Sequence, residues 1–171
     1  MRALTQKSVI VLAVVLVAAP ASAEWVMVSL EDQVAMSDLI VIATFSKEGE
    51  ETRRSSLHEW GTLRVQRVIA GAATVGETLT LSWKNPVGLV CPRVDHSGME
   101  GQDALWLLEA SKKTRAVRAD HPGRSISLED RSTVERLVRH LDELAPGEMS
   151  PRSSLGRLRS YLIDRLSKTP G

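Results

Sequence analysis

Cys91, Asp95 and His96 fall within six residues of one another, and His58 and His121 are imidazoles that a fold can bring to the same place. A thiol, an imidazole and a carboxylate are what a nucleophile, its base and the base's orienter require. The same trio offers a soft divalent metal three ligands and an open fourth position. The plainer alternative leaves Cys91 as a small, partly buried residue at a strand end, with His96 in solvent. That alternative is the expected one, so no catalytic residue, no metal and no cofactor is assigned. Cys91, Asp95, His96 and Trp60 are kept as candidate binding residues. The chain contains no G-x-S-x-G, H-E-x-x-H, C-x-x-C or phosphate-cradling glycine motif. Four tryptophans accompany one Phe and one Tyr. Trp83 and Trp106 lie in strand-like runs and are expected inside the fold. Trp25 and Trp60, near a terminus and a strand start, are expected to be partly exposed, where an aromatic ring can stack on a carbohydrate or peptide.

The bulk numbers narrow the classes. The chain has 171 residues, 22 Lys+Arg against 21 Asp+Glu, and 43% hydrophobic residues. This suits one globular domain with appendages. Near-neutral charge argues against nucleic acid as a partner. One cysteine excludes both an intrachain disulfide framework and a four-cysteine zinc site.

The first 23 residues read as a signal peptide. Arg2 and Lys7 precede an eleven-residue apolar run from Val9 to Ala19, and Ala21-Ser22-Ala23 supplies the small-residue cleavage pattern. The run is too short for a permanent membrane span, and no cysteine follows it for lipid attachment. Cleavage near Ala23 implies a secreted or periplasmic protein of 148 residues. It removes Arg2 and Lys7, leaving 20 basic against 21 acidic residues. A chain of that size buries enough surface to fold without disulfides.

The elements follow from periodicity. Ser29 and Asp32 form a capping box at the start of a short helix carrying Leu30 and Val34. Residues 39–45 are a β-branched apolar run, read as a central strand. Residues 46–56 are charged and lack apolar periodicity, so a solvated hairpin loop is expected. Residues 60–69 alternate, with Leu63, Val65 and Arg67 on one face and Thr62, Arg64 and Gln66 on the other. Residues 78–83 alternate again. Residues 84–102 are irregular, with Pro86, Gly88, Pro92, Gly98 and Gly101. Residues 104–108 form a buried strand, and short strands are expected at 114–117 and 125–128 around the turn His121-Pro122-Gly123.

Two helices close the chain. Val134, Leu137, Val138, Leu141 and Leu144 make an apolar stripe from Ser132 onward, with Arg136, Arg139, His140 and Glu143 on the outer face. After Pro146-Gly147 and Ser150-Pro151, a second helix carries Leu155, Leu158, Leu162 and Leu166 in one stripe beside Arg157, Arg159, Arg165 and Lys168. Its leucine stripe and basic flank fit intramolecular packing, or docking on an anionic membrane surface or partner through Leu155, Arg157, Leu158, Arg159, Leu162 and Arg165. Strands of uneven length without a βαβ rhythm argue for a mainly β fold. The expected architecture is a small five-stranded, OB-like antiparallel barrel with a short N-terminal helix and two C-terminal helices. The divisions are residues 24–128 for the barrel, 129–145 for the first closing helix, and 146–171 for linker and basic helix.

Three segments in this order resemble secreted netrin-like barrels, the group that includes tissue inhibitors of metalloproteinases and many exported bacterial domains. They are Ser37-Asp38-Leu39-Ile40-Val41-Ile42-Ala43-Thr44, then Gly61-Thr62-Leu63-Arg64-Val65-Gln66-Arg67-Val68-Ile69-Ala70-Gly71, then Gly76-Glu77-Thr78-Leu79-Thr80-Leu81. Gly101-Gln102-Asp103-Ala104-Leu105-Trp106-Leu107-Leu108 resembles the strand those bacterial proteins carry after their irregular loop. The resemblance spans residues 29–120. The animal inhibitors chelate protease zinc through an N-terminal cysteine; here the expected mature terminus is Glu24-Trp25, so that activity is not carried over. What the resemblance implies is an exported, non-catalytic binding or accessory module acting on a protein or envelope component. A thiol- or metal-dependent enzyme built on Cys91 and His96 is the first alternative. A peripheral envelope protein docked by its C-terminal helix is the second.

Overall fold

A computed structural model describes residues 28–87, 93–111, 116–129, 131–144 and 153–168. The elements, in order, are α1 (Leu30–Ala35), β1 (Leu39–Arg53), β2 (Ser56–Ala70), β3 (Thr78–Pro86), β4 (Asp103–Ala110), β5 (Val117–Arg118), β6 (Ser125–Ser127), α2 (Arg131–Leu144) and α3 (Ser154–Lys168). The expected signal peptide, Trp25, Cys91 and the linker at 146–152 lie outside the described residues.

The fold is mainly β with flanking helices. Five strands form a ring: β1 pairs with β2, β2 with β3, β3 with β5, β5 with β4, and β4 with β1. The β3–β5 pairing is parallel and the others are antiparallel. A sixth strand, β6, extends the sheet from β4. The expected count of five strands, all antiparallel, is therefore corrected at one join and by one addition.

The ring works because β1 and β4 are buried on both faces. Leu39, Val41, Ala43 and Phe45 of β1 meet Ala104, Trp106 and Leu108 of β4 in an inner cluster with Leu63, Val65, Leu81 and Trp83. The intervening Ile40, Ile42, Leu105 and Leu107 face the other way. They form an outer cluster with Leu30 and Val34 of α1, Val134 and Leu141 of α2, and Leu158 and Leu162 of α3. A strand covered on both faces reads as a continuous apolar run, which is why residues 39–45 and 104–108 show no alternation.

Two local expectations change. Residues 46–53 are strand rather than loop, paired with β2 down to Arg53 opposite Ser56; only Arg54 and Ser55 turn, with Arg54 at φ 56°. This arm of the hairpin is exposed on most of its length, so strand pairing there leaves no apolar alternation in the sequence. Arg67 also leaves the face of Leu63 and Val65. The register slips so that Ala43 faces Val65 while Ile42 faces Arg67. The extra residue, Gln66, turns the next side chains over. Arg67 consequently stacks 4.9 Å from the ring centroid of Tyr161 on α3, and Ile69 joins the outer cluster.

The C-terminal helix packs on the domain. Leu158 and Leu162 are fully buried in the outer cluster. Arg157 donates to the Ile69 carbonyl (2.6 Å), Arg165 to the Leu128 carbonyl (2.9 Å), and Arg159 pairs with Asp142 of α2. The stripe that would enter a membrane or partner surface is thus occupied by the protein's own strands. Among the described residues, no helix is long and apolar enough to cross a membrane.

Candidate functional site

The irregular segment after β3 returns to the ring through Val94 and His96. Asn85, at the end of β3, holds Val94 from both sides: its amide donates to the Val94 carbonyl (2.9 Å), and its carbonyl accepts the Val94 N–H (2.7 Å). The same Asn85 amide donates to Glu59 (2.6 Å), which also accepts from Trp83 Nε1 (3.1 Å) and Lys47 Nζ (3.0 Å). Glu59 is a buried carboxylate with three donors, as a buried charge requires. Lys47 spans Glu50 and Glu59, and these two carboxylates raise its pKa, the Glu50 hydrogen bond first.

His96 is fully buried, not solvated. Its ring stands edge-on between Trp83 and Trp106, with centroids 5.1 Å and 5.2 Å away. Nε2 lies 3.0 Å from the Ala119 carbonyl and Nδ1 lies 2.8 Å from Ser125 Oγ. A carbonyl only accepts, so Nε2 carries the proton and Nδ1 accepts from the serine hydroxyl. Burial is the largest influence on this imidazole and pushes its pKa below the ordinary value, outweighing the opposing Ala119 contact and the charges of Asp95, Glu59 and Asp120. His96 is therefore neutral, with both nitrogens engaged.

Of the predicted trio, Asp95 and His96 turn apart. Asp95 turns to the surface, where its carboxylate accepts the backbone N–H of Ser97 (2.8 Å), which holds its pKa down. It does not orient His96. Cys91 lies outside the described residues. His58 sits on β2 opposite Glu51 and Lys84, while His121 accepts the N–H of Gly123 (3.0 Å). Among the described residues, no group of three His, Cys, Asp or Glu side chains is placed to hold a metal. The Ser125–His96 contact has the distance of a nucleophile–base pair, yet both residues are buried and the imidazole's orienting partner is a carbonyl rather than a carboxylate. The pair ties β6 to the ring.

Trp60 lies in the first third of β2, half-buried, on the outer face of the ring. Its indole crosses Gly49 of β1: a Cβ there would stand 2.8 Å from the indole Cζ2. Cross-strand register places Ser82 beside Trp60, Thr80 and Ser46 beside Thr62, Thr78 and Thr44 beside Arg64, and Lys84 beside His58. The outer face of β1–β2–β3 is thus a ladder of hydroxyls and cations around one indole. The helices cover the other side, over β1 and β4.

Sequence reasoning missed Glu59, Asn85 and Ser125. Strand parity carries a signal for the first two. Glu59 has the parity of Gly61, Leu63 and Val65, and Asn85 that of Leu81 and Trp83. A polar side chain at a core-facing position is the mark of a buried network. Ser125 had no such cue, because its partner lies 29 residues away. Compared with protein-family models, with curated proteins and with solved structures, the chain matches none.

Proposed function

We propose that this is an exported, non-catalytic binding or accessory module built on an OB-like, netrin-like barrel. It engages a protein, peptide or other envelope component through the outer face of β1–β2–β3. The ring order β1-β2-β3-β5-β4, with its one parallel join, supports the OB-like reading. The signal-like residues 1–23 support export. The observation that carries the binding reading is the ladder around Trp60. It is left uncovered by the helices and combines an amphipathic ring, hydroxyls and the cations Arg64 and Lys84. A half-buried Trp among polar neighbours is suited to a partner contact, because a large rigid ring loses little conformational entropy on binding.

Against the thiol-enzyme alternative stands His96, whose two ring nitrogens are both engaged and leave none to serve as a base. Crosslinking pull-down from the native envelope tests the binding reading. Trp60→Ala and Arg64→Glu should each abolish capture of the partner while melting within a few degrees of wild type. Capture that survives both substitutions would overturn the assignment to this face.

A further inference from the structure

A second concavity lies away from Trp60, where α1, the turn Pro122–Arg124, β6 and α2 meet. It has a volume of about 500 Å³, within the range of small-molecule sites. Leu30, Ile126 and Leu137 supply apolar walls, Arg136, Arg139, His140 and Glu143 line it from α2, and Gln33 and Gly123 complete it.

Gln33 is the informative residue. It is only 6% exposed, and its amide is fixed: Nε2 donates to the Val28 carbonyl (3.0 Å), which settles which end of the amide is nitrogen. The carbonyl oxygen, Oε1, is buried and has no hydrogen-bond partner among the described residues. Leaving a buried amide acceptor bare is costly to the fold. Position 123 accommodates this amide by being glycine, because a Cβ there would lie 2.6 Å from Gln33 Nε2 and 2.9 Å from Oε1. The fold therefore holds an unpaired acceptor in the wall of a cavity whose α2 side carries two guanidinium groups and an imidazole against one carboxylate.

We infer that this cavity binds an apolar amino-acid unit with a free carboxylate: a free amino acid, or the C-terminal residue of a peptide. Its carboxylate meets Arg136, Arg139 and His140. Its nitrogen donates to Gln33 Oε1, which is covered in the empty fold, so binding has to open the close approach of Gln33 to Gly123; Glu143 is available to an ammonium. Its side chain covers Leu30, Ile126 and Leu137. A ligand of this kind supplies the missing donor, the missing anion and apolar surface at once. Carboxylate and N–H sit two bonds apart across the α-carbon, matching a site that offers cations and a lone acceptor on neighbouring walls. This inference is independent of the Trp60 face.

The test titrates the isotopically labelled full chain with leucine, N-acetyl-leucine, Ala-Ala-Leu and leucinamide, each to about 10 mM, following backbone amides by NMR. At least one of the three carboxylates should move Gln33, Gly123 and His140, and leucinamide should bind about tenfold more weakly or not at all, because the charge-assisted contacts are gone. Preference for leucine identifies a free amino acid; preference for the acylated compounds identifies a peptide terminus. Arg139→Gln and Gln33→Leu should each weaken binding about tenfold, with the melting temperature kept as the control for folding. If none of the carboxylates shifts these amides, or leucinamide binds as well as leucine, the inference is wrong. Binding that both variants retain would equally overturn it. Partner capture through Trp60 that is insensitive to Arg139→Gln would leave the Trp60 reading standing, so the two readings fail separately.

Discussion

Protonating His96 would place a positive charge between Trp83 and Trp106 and take away the lone pair that accepts from Ser125. Because the folded pKa lies below the unfolded value of about 6.5, the unfolded chain binds the proton first as pH falls. The stability that neutral His96 contributes is therefore complete above about pH 6.5 and is lost progressively as pH falls toward and through the folded value. One proton limits the slope to about 1.4 kcal/mol per pH unit. Denaturant midpoints measured from pH 7.5 to 5 should fall over this window. His96→Gln should lower stability throughout but flatten the dependence, and an unchanged slope would show that another group titrates. Asp95 acts in a separate, more acidic window. Its depressed pKa stabilises the fold above the ordinary carboxylate range and the effect fades as pH drops through the folded value.

At the scale of elements, α3 is held by side chains that a leucine stripe alone does not place. Leu158 and Leu162 enter the outer cluster beside Ile40, Ile42, Leu105 and Leu107, and Arg157 and Arg165 cap carbonyls of the sheet side. Leu158→Ala should cost about 2–5 kcal/mol, read as a lowered denaturant midpoint. Deleting residues 155–171 should bring a large loss of thermal stability. Unchanged stability in either variant would show that the helix docks elsewhere. The stripe itself was legible, as were both two-faced strands and the capping box, where Ser29 accepts from the Asp32 N–H (3.1 Å). Such signals are local: period, cap and composition within one segment. The hairpin arm at 46–53 was not legible because a strand with both faces wet has no hydrophobic period. The turn-over at Gln66 was not legible because a one-residue slip is decided by packing against α3. Of the candidate site, Trp60 was expected to be partly exposed because it lies near a strand start, and it is half-buried within β2. The burial of His96 depended on Ala119 and Ser125, contacts 23 and 29 residues away in the chain.

The whole molecule is two clusters sharing two walls. β1 and β4 contribute alternate residues to the inner and outer clusters, so neither can come apart without stripping one face of the same strands. Unfolding should accordingly be a single transition. Near-ultraviolet signals from the inner Trp83 and Trp106 and the far-ultraviolet signal dominated by α2 and α3 should change at one denaturant concentration. Separate midpoints would show that the helices leave first. The ring nonetheless has one thin element. Among the described residues, β5 meets β3 through Leu81–Val117 and Ser82–Arg118 and meets β4 through Glu109–Arg118 and Ala110–Val117, and Ala119, which holds the Nε2 proton of His96, follows directly after it. The other joins of the ring are longer, so local opening should start at β5. Lifting β5 should then give solvent protons a path to the buried imidazole without global unfolding, so that the rate of this opening governs how quickly His96 answers a change of pH.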